Sequence, residues 1–137
     1  MMNTLKFPAF RSSGKAVQLS EILAVIPENN LVWSIIEFNG TGIAPFDLSM
    51  DEFEELVSNK PCGLTLTWNE LKRISSGFYQ TFDCLIVGAK TNKDISDALT
   101  IGDNFYVCDV LLNAFDSTEW SVWARDVELM KQFRAVY

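Results

Sequence analysis

A chain of 137 residues that sets eleven basic against eighteen acidic side chains carries a net charge of −7, and it contains no histidine. Histidine is the one side chain whose ordinary pKa falls in the physiological window, so its absence excludes Ser-His-Asp and Cys-His nucleophile systems, the HExxH zinc site and the two-His-one-carboxylate iron site. The negative balance repels phosphate backbones and anionic lipid, which argues against nucleic acid and membrane surfaces as partners.

In chain order, residues 1–14 hold Pro8, two serines and a glycine without a clear period and read as an irregular arm or edge segment. Leu19, Ile22, Leu23 and Ile26 then recur on one helical face until Pro27, which predicts a first helix. Residues 31–38 are rich in branched and aromatic side chains and read as a strand; Asn39 and Gly40 signal a turn, so a hairpin with the apolar stretch 43–46 is expected.

Two helix starts follow that share one device, a Ser or Thr cap answered three residues later by a Glu: Ser49 with Glu52, and Thr67 with Glu70. Met50, Phe53, Leu56 and Val57 form the inner face of the first helix, and Trp68, Leu71 and Ile74 that of the second, which Gly77 stops. Residues 79–89 have strong strand character, and residues 95–99 suggest one helical turn. Residues 105–115 and 119–124, separated by a polar turn, predict a long hairpin, and Asp126 caps a closing helix that turns Leu129, Met130 and Phe133 inward.

Short polar turns favour antiparallel pairing, and helices grouped apart from strands favour an α+β layer over a doubly wound sheet. The expectation is one globular domain over residues 1–137, a mainly antiparallel sheet of about four to five strands with three to four helices packed on it. The 48% hydrophobic content is ample for a core in a chain that buries roughly two-thirds of its unfolded surface. No apolar run approaches a membrane span or a signal-peptide core, and Cys62, Cys84 and Cys108 are odd in number and widely spaced; both features lead to an expectation of a cytoplasmic protein with reduced thiols. The seven glycines fit neither GxGxxG nor GxxxxGK[ST], and neither a cofactor nor a metal is expected.

Three groups are candidates for function. Asp47, Asp51, Glu52, Glu54 and Glu55 place five carboxylates within nine residues around a helix start. Acids in a first turn meet the positive end of the helix dipole, which accounts for part of the cluster, but Asp51 and Glu55 form a like-charged i, i+4 pair on the outer face. Trp120 and Trp123 have opposite strand parity, so one ring faces away from the core, where a helix covers it or a partner does. Asp83 and Asp109 interrupt apolar strands and Cys62 lies beside Lys60 in a Lys-Pro-Cys-Gly turn, which makes these three the candidates for a cleft.

Lacking imidazole, the chain reads as a non-catalytic protein-binding domain whose acidic helix docks a basic partner. Small, acidic and α+β, it is similar in general style to bacterial immunity proteins and other inhibitors, although no motif assigns a family. The alternative is a small-molecule-binding domain or a carboxylate-dependent enzyme using Asp83, Asp109 or Cys62.

Overall fold

The computed structural model describes residues 4–101 and 104–137. Among these residues there are six strands, β1 (Leu5–Pro8), β2 (Val32–Gly42), β3 (Leu64–Leu66), β4 (Phe78–Ala89), β5 (Val110–Phe115) and β6 (Glu119–Ala124). Five helices accompany them: α1 (Leu19–Leu23), α2 (Met50–Ser58), α3 (Trp68–Ser75), α4 (Asn92–Thr100) and α5 (Val127–Val136). The strands form one sheet in the order β1-β6-β5-β4-β2-β3, antiparallel at every pairing. The α+β class with an antiparallel sheet is therefore as expected, with more strands than the sequence suggested.

The register explains where the core sits. Phe7 pairs with Trp120, Trp120 with Ala114, Ala114 with Cys84, and Cys84 with Phe38, so one inward row crosses five strands; Leu112, Val122, Ile86 and Ile35 make the next. These side chains share a hydrophobic core with Ile22 and Leu23 of α1, Phe53 and Val57 of α2, Leu71 and Ile74 of α3, and Leu129, Met130 and Phe133 of α5. Four helices thus cover one face of the sheet. On the opposite face a smaller core joins Val87 and Ala89 to Ile95 and Ala98 of α4 and to Cys108 after a 3-10 turn, Phe105–Val107. That second cover reaches only one end of the sheet, and Lys6, Glu37, Asp83 and Phe115 on the uncovered part stay exposed.

Both predicted capping boxes are formed. Glu52 N–H donates to the Ser49 hydroxyl at 3.2 Å while the Glu52 carboxylate accepts Ser49 N–H at 2.9 Å. Thr67 and Glu70 repeat the arrangement at 3.2 and 2.8 Å.

The two strands missed by pattern are the two sheet edges. In β1 only Leu5 and Phe7 point inward, too short an alternation to recognise, yet Tyr137 stacks on Phe7 with ring centroids 4.2 Å apart. Residues 9–17 then double back, with Ala9 N–H bonded to Thr118 C=O and Val17 N–H to Ala9 C=O, so the N-terminal segment is an edge strand and loop, where an irregular arm was one expectation. β3 has only three residues, pairing with Trp33, Ser34 and Ile35.

Asn39 and Gly40 are not a hairpin turn. β2 runs through them to Gly42, and its pairing with β4 absorbs the irregularity as bulges at 35/37, 39/40 and 41/42. A turn dipeptide is also what a bulge accommodates, because both require departure from the regular ladder. The helical turn expected near 95–99 is instead the nine-residue α4, whose start is fixed by the Thr91 hydroxyl accepting Asp94 N–H at 3.2 Å. The hairpin of β5 and β6 is shorter than expected because residues 105–107 wind into the 3-10 turn.

Candidate functional site

The five carboxylates around α2 divide by what they touch. Glu52 is committed to the capping box, and the Ser49 backbone N–H it accepts, followed by the hydroxyl, lowers its pKa. Glu54 turns back to the sheet, where it accepts Gly40 N–H at 2.9 Å and the Asn39 carboxamide at 3.2 Å. This contact has a clear purpose: β3 pairs with only three residues of β2, so the rest of that strand is an open edge, and α2 lies against it. Asp47, Asp51 and Glu55 are exposed, and none of them forms an ion pair among the described residues. The cluster is therefore two structural groups and three outward charges.

The tryptophans are not outward. Trp120 is 1% exposed, and its indole N–H donates to Val17 C=O at 3.1 Å. Trp123, on the other face of the sheet, is 4% exposed beneath the edge of Tyr106 at 5.2 Å and the Arg125 guanidinium at 5.6 Å. The opposite parity of the two positions puts the rings on opposite faces, and both faces are covered at this point, so neither ring is exposed.

Different apolar groups stand beside the acidic helix. Ile43 is 66% exposed and Phe46 58% exposed, on the segment between β2 and α2 where Ile43 N–H bonds to Gly77 C=O. Phe46 and Asp47 both have positive φ, 62° and 56°. A left-handed backbone is costly for side chains with a Cβ, about 1–2 kcal/mol each, and persists where surrounding structure imposes it. Here it follows Pro45 and leads into the Ser49 cap, holding Phe46 and Asp47 out at the start of α2. The sequence signal here is weak, an apolar stretch over residues 43–46 that follows neither the helical nor the strand period.

The three cleft candidates do not converge. Asp83 is exposed near the β5–β6 turn, its carboxylate accepting Asp116 N–H at 3.0 Å. Asp109 N–H bonds to Gly88 C=O, five residues along β4 from Asp83, or roughly 17 Å at ~3.3 Å per residue. Asp109 pairs with Arg125 at 3.3 Å, and Arg125 also donates to Tyr106 C=O and Cys108 C=O at 2.6 and 2.7 Å. Asp109 borders a cleft of about 400 Å³ with Pro27, Leu31 and Leu129. Half-buried Cys62 lines a different hollow with Thr65, Asn92 and Lys93, while its carbonyl accepts the Ser34 hydroxyl. Burial pushes the Cys84 thiol far above its ordinary value and raises Cys108 to about 11, so both remain protonated thiols.

Among the described residues no three His, Cys, Asp or Glu side chains are grouped to hold a metal ion, and no helix is long and apolar enough to cross a membrane. No protein-family model matches the chain, and neither a curated protein nor a solved structure matches it.

Proposed function

We propose that the protein is a non-catalytic binding domain, of inhibitor or immunity type, that docks a basic partner protein through the surface at the start of α2. The observation that carries this reading is Phe46, held 58% exposed on left-handed backbone between Ile43 and the carboxylates of Asp47, Asp51 and Glu55, which form no ion pair among the described residues. Exposed aromatic side chains ringed by charge make efficient interface centres: the ring fills a pocket and slows release, while the charges steer encounter and select the partner. With a net charge of −7, the long-range field favours a partner of positive sign. Trp120 and Trp123 support the scaffold in this reading, and Glu54 positions the helix.

The test is recovery of the partner from the native cell by affinity purification on the full chain, followed by titration with Phe46→Ala, Asp51→Lys and Glu55→Lys. Phe46→Ala is expected to weaken binding about tenfold or more through faster dissociation. The two charge reversals are expected to slow association and flatten its salt dependence. A partner whose affinity is unchanged in all three variants and at raised salt overturns the proposal.

A further inference from the structure

Asn39 and Gly40 read as a turn in the sequence, yet the fold holds them within β2, and Asn39 is the one asparagine in the chain that a glycine follows. That dipeptide carries a chemistry of its own, because a glycine has no side chain to hinder the approach of its nitrogen to the preceding carboxamide. The Gly40 nitrogen attacks Asn39 Cγ, the Cγ–Nδ2 bond breaks, and the proton lost by Gly40 passes by way of solvent to the amide nitrogen, which leaves as ammonia. The succinimide ring so formed is opened by water at either carbonyl, giving aspartate or isoaspartate. Water is consumed, ammonia is released and nothing is oxidised or reduced. Packing keeps the glycine in place: a Cβ at position 40 would lie 2.4 Å from the Gln80 carbonyl oxygen.

In the folded chain one side chain holds both reacting groups. Glu54 accepts the Gly40 N–H at 2.9 Å, and its two oxygens accept the Asn39 carboxamide at 3.2 Å each. Removing the Gly40 proton there would leave an amide anion against a carboxylate, which the like charge disfavours. On the other side of the strand Asn39 pairs with Asp83 and Gly40 with Thr81, so the backbone rotation that ring closure needs is blocked by β4 as well. Reaction therefore requires this corner to open, and the contact with α2 is the part of it that lies on the strand edge. The product differs from the reactant in sign. A carboxylate at position 39 donates nothing to Glu54 and adds a negative charge beside both Glu54 and its cross-strand neighbour Asp83.

We propose that Asn39–Gly40 is a site of spontaneous deamidation that Glu54 holds closed, and that its conversion is a one-way release of α2 from the edge of β2. Opening exposes the dipeptide to reaction, and the new carboxylate then prevents Glu54 from closing over it again. The inference rests on the Glu54 contacts and is independent of what the surface of α2 binds.

The full chain is kept in warm, mildly alkaline buffer, and peptide mass spectrometry follows the amide-to-acid conversion at Asn39. The expected result is conversion about tenfold faster in Glu54→Ala than in the parent, with equal rates for the two in denaturing urea, where Glu54 holds nothing. Gly88→Ala, weakened elsewhere in the sheet, separates opening of this corner from global unfolding and is expected to convert more slowly than Glu54→Ala. Hydrogen exchange tests the second half of the proposal: Asn39→Asp, which carries the product's charge, is expected to lose protection at the Gly40 amide and along α2, while the uncharged Asn39→Ser retains it. Conversion no faster in Glu54→Ala than in the parent, conversion as fast in Gly88→Ala as in Glu54→Ala, or equal protection in Asn39→Asp and Asn39→Ser overturns the proposal.

Discussion

The Glu54 carboxylate accepts the backbone N–H of Gly40 at 2.9 Å, joining the acidic helix to the unprotected edge of the strand that carries the core residues Trp33, Ile35 and Phe38. One side chain thus satisfies a bulge, shields an edge and fixes the helix whose other acids face outward. Glu54→Ala is expected to lower stability by about 1–2 kcal/mol, because it removes a charge-assisted acceptor and leaves an N–H in a buried glycine without it. Asp51→Ala and Glu55→Ala, which relieve a like-charged pair, are expected to change it by no more than about 0.5 kcal/mol. Urea denaturation of the three variants reads the contrast, and equal losses would refute the division of the cluster.

Stability should fall in acid partly through the two capping boxes. The carboxylates of Glu52 and Glu70 lie below their ordinary value of 4.5, each chiefly because it accepts the backbone N–H of its cap residue. A group with a lowered native pKa contributes stability that is fully present above the unfolded value. That contribution is lost as pH falls from about 4.5 through the native pKa. Glu52→Gln combined with Glu70→Gln is therefore expected to be less stable than the parent near neutrality and to lose less on acidification. Thermal melts from pH 7 down to 3 measure this, and parallel profiles for parent and variant would contradict it.

The parts of the fold legible in the sequence are those governed by local rules. Ser49 with Glu52 and Thr67 with Glu70 announce helix starts because both partners of each box lie within one turn. The long strands around Ile35 and Ile86 announce themselves by composition. What stayed hidden depends on distant chain. Asn39 and Gly40 form a bulge because β4 continues to pair beyond them, and β1 forms because β6, more than a hundred residues later, supplies its hydrogen bonds. The site follows the same division: the acidic run is visible in the sequence, whereas the burial of both Trp120 and Trp123 is not, because strand parity says which face a ring takes and nothing about what covers that face. Phe46 owes its exposure to backbone geometry between two elements, which residue spacing does not encode.

Gly88 and Trp33 face one another across β4 and β2. A Cβ at position 88 would lie 2.9 Å from Trp33 Cη2 and Cζ3, and that ring is fully buried against Trp68. No flexible end is available to move aside. Gly88→Ala is expected to cost about 1–3 kcal/mol by overpacking and to alter the near-ultraviolet circular dichroism of the indole pair. A stable variant with an unchanged aromatic spectrum would mean that the sheet relaxes at this crossing.

Arg125 closes the far end of the sheet by gathering two carbonyls, a carboxylate and an aromatic face. Its guanidinium binds Tyr106 C=O and Cys108 C=O, pairs with Asp109 and lies over Trp123. Lysine has a single ammonium and cannot reproduce that fork, so Arg125→Lys and Arg125→Ala are both expected to loosen the segment that shelters Cys108. Reactivity of the thiols reports it directly. In the parent, half-buried Cys62 should be the first thiol to react with a colorimetric disulfide reagent, while Cys84 and Cys108, buried and held protonated, react only on opening. In the Arg125 variants Cys108 should react severalfold faster at unchanged Cys84 rate, since Cys84 lies in the main core and Cys108 in the small one under α4. Equal acceleration of both thiols would mean that Arg125 supports the whole fold, and no acceleration would mean that its four contacts contribute nothing to closing this end.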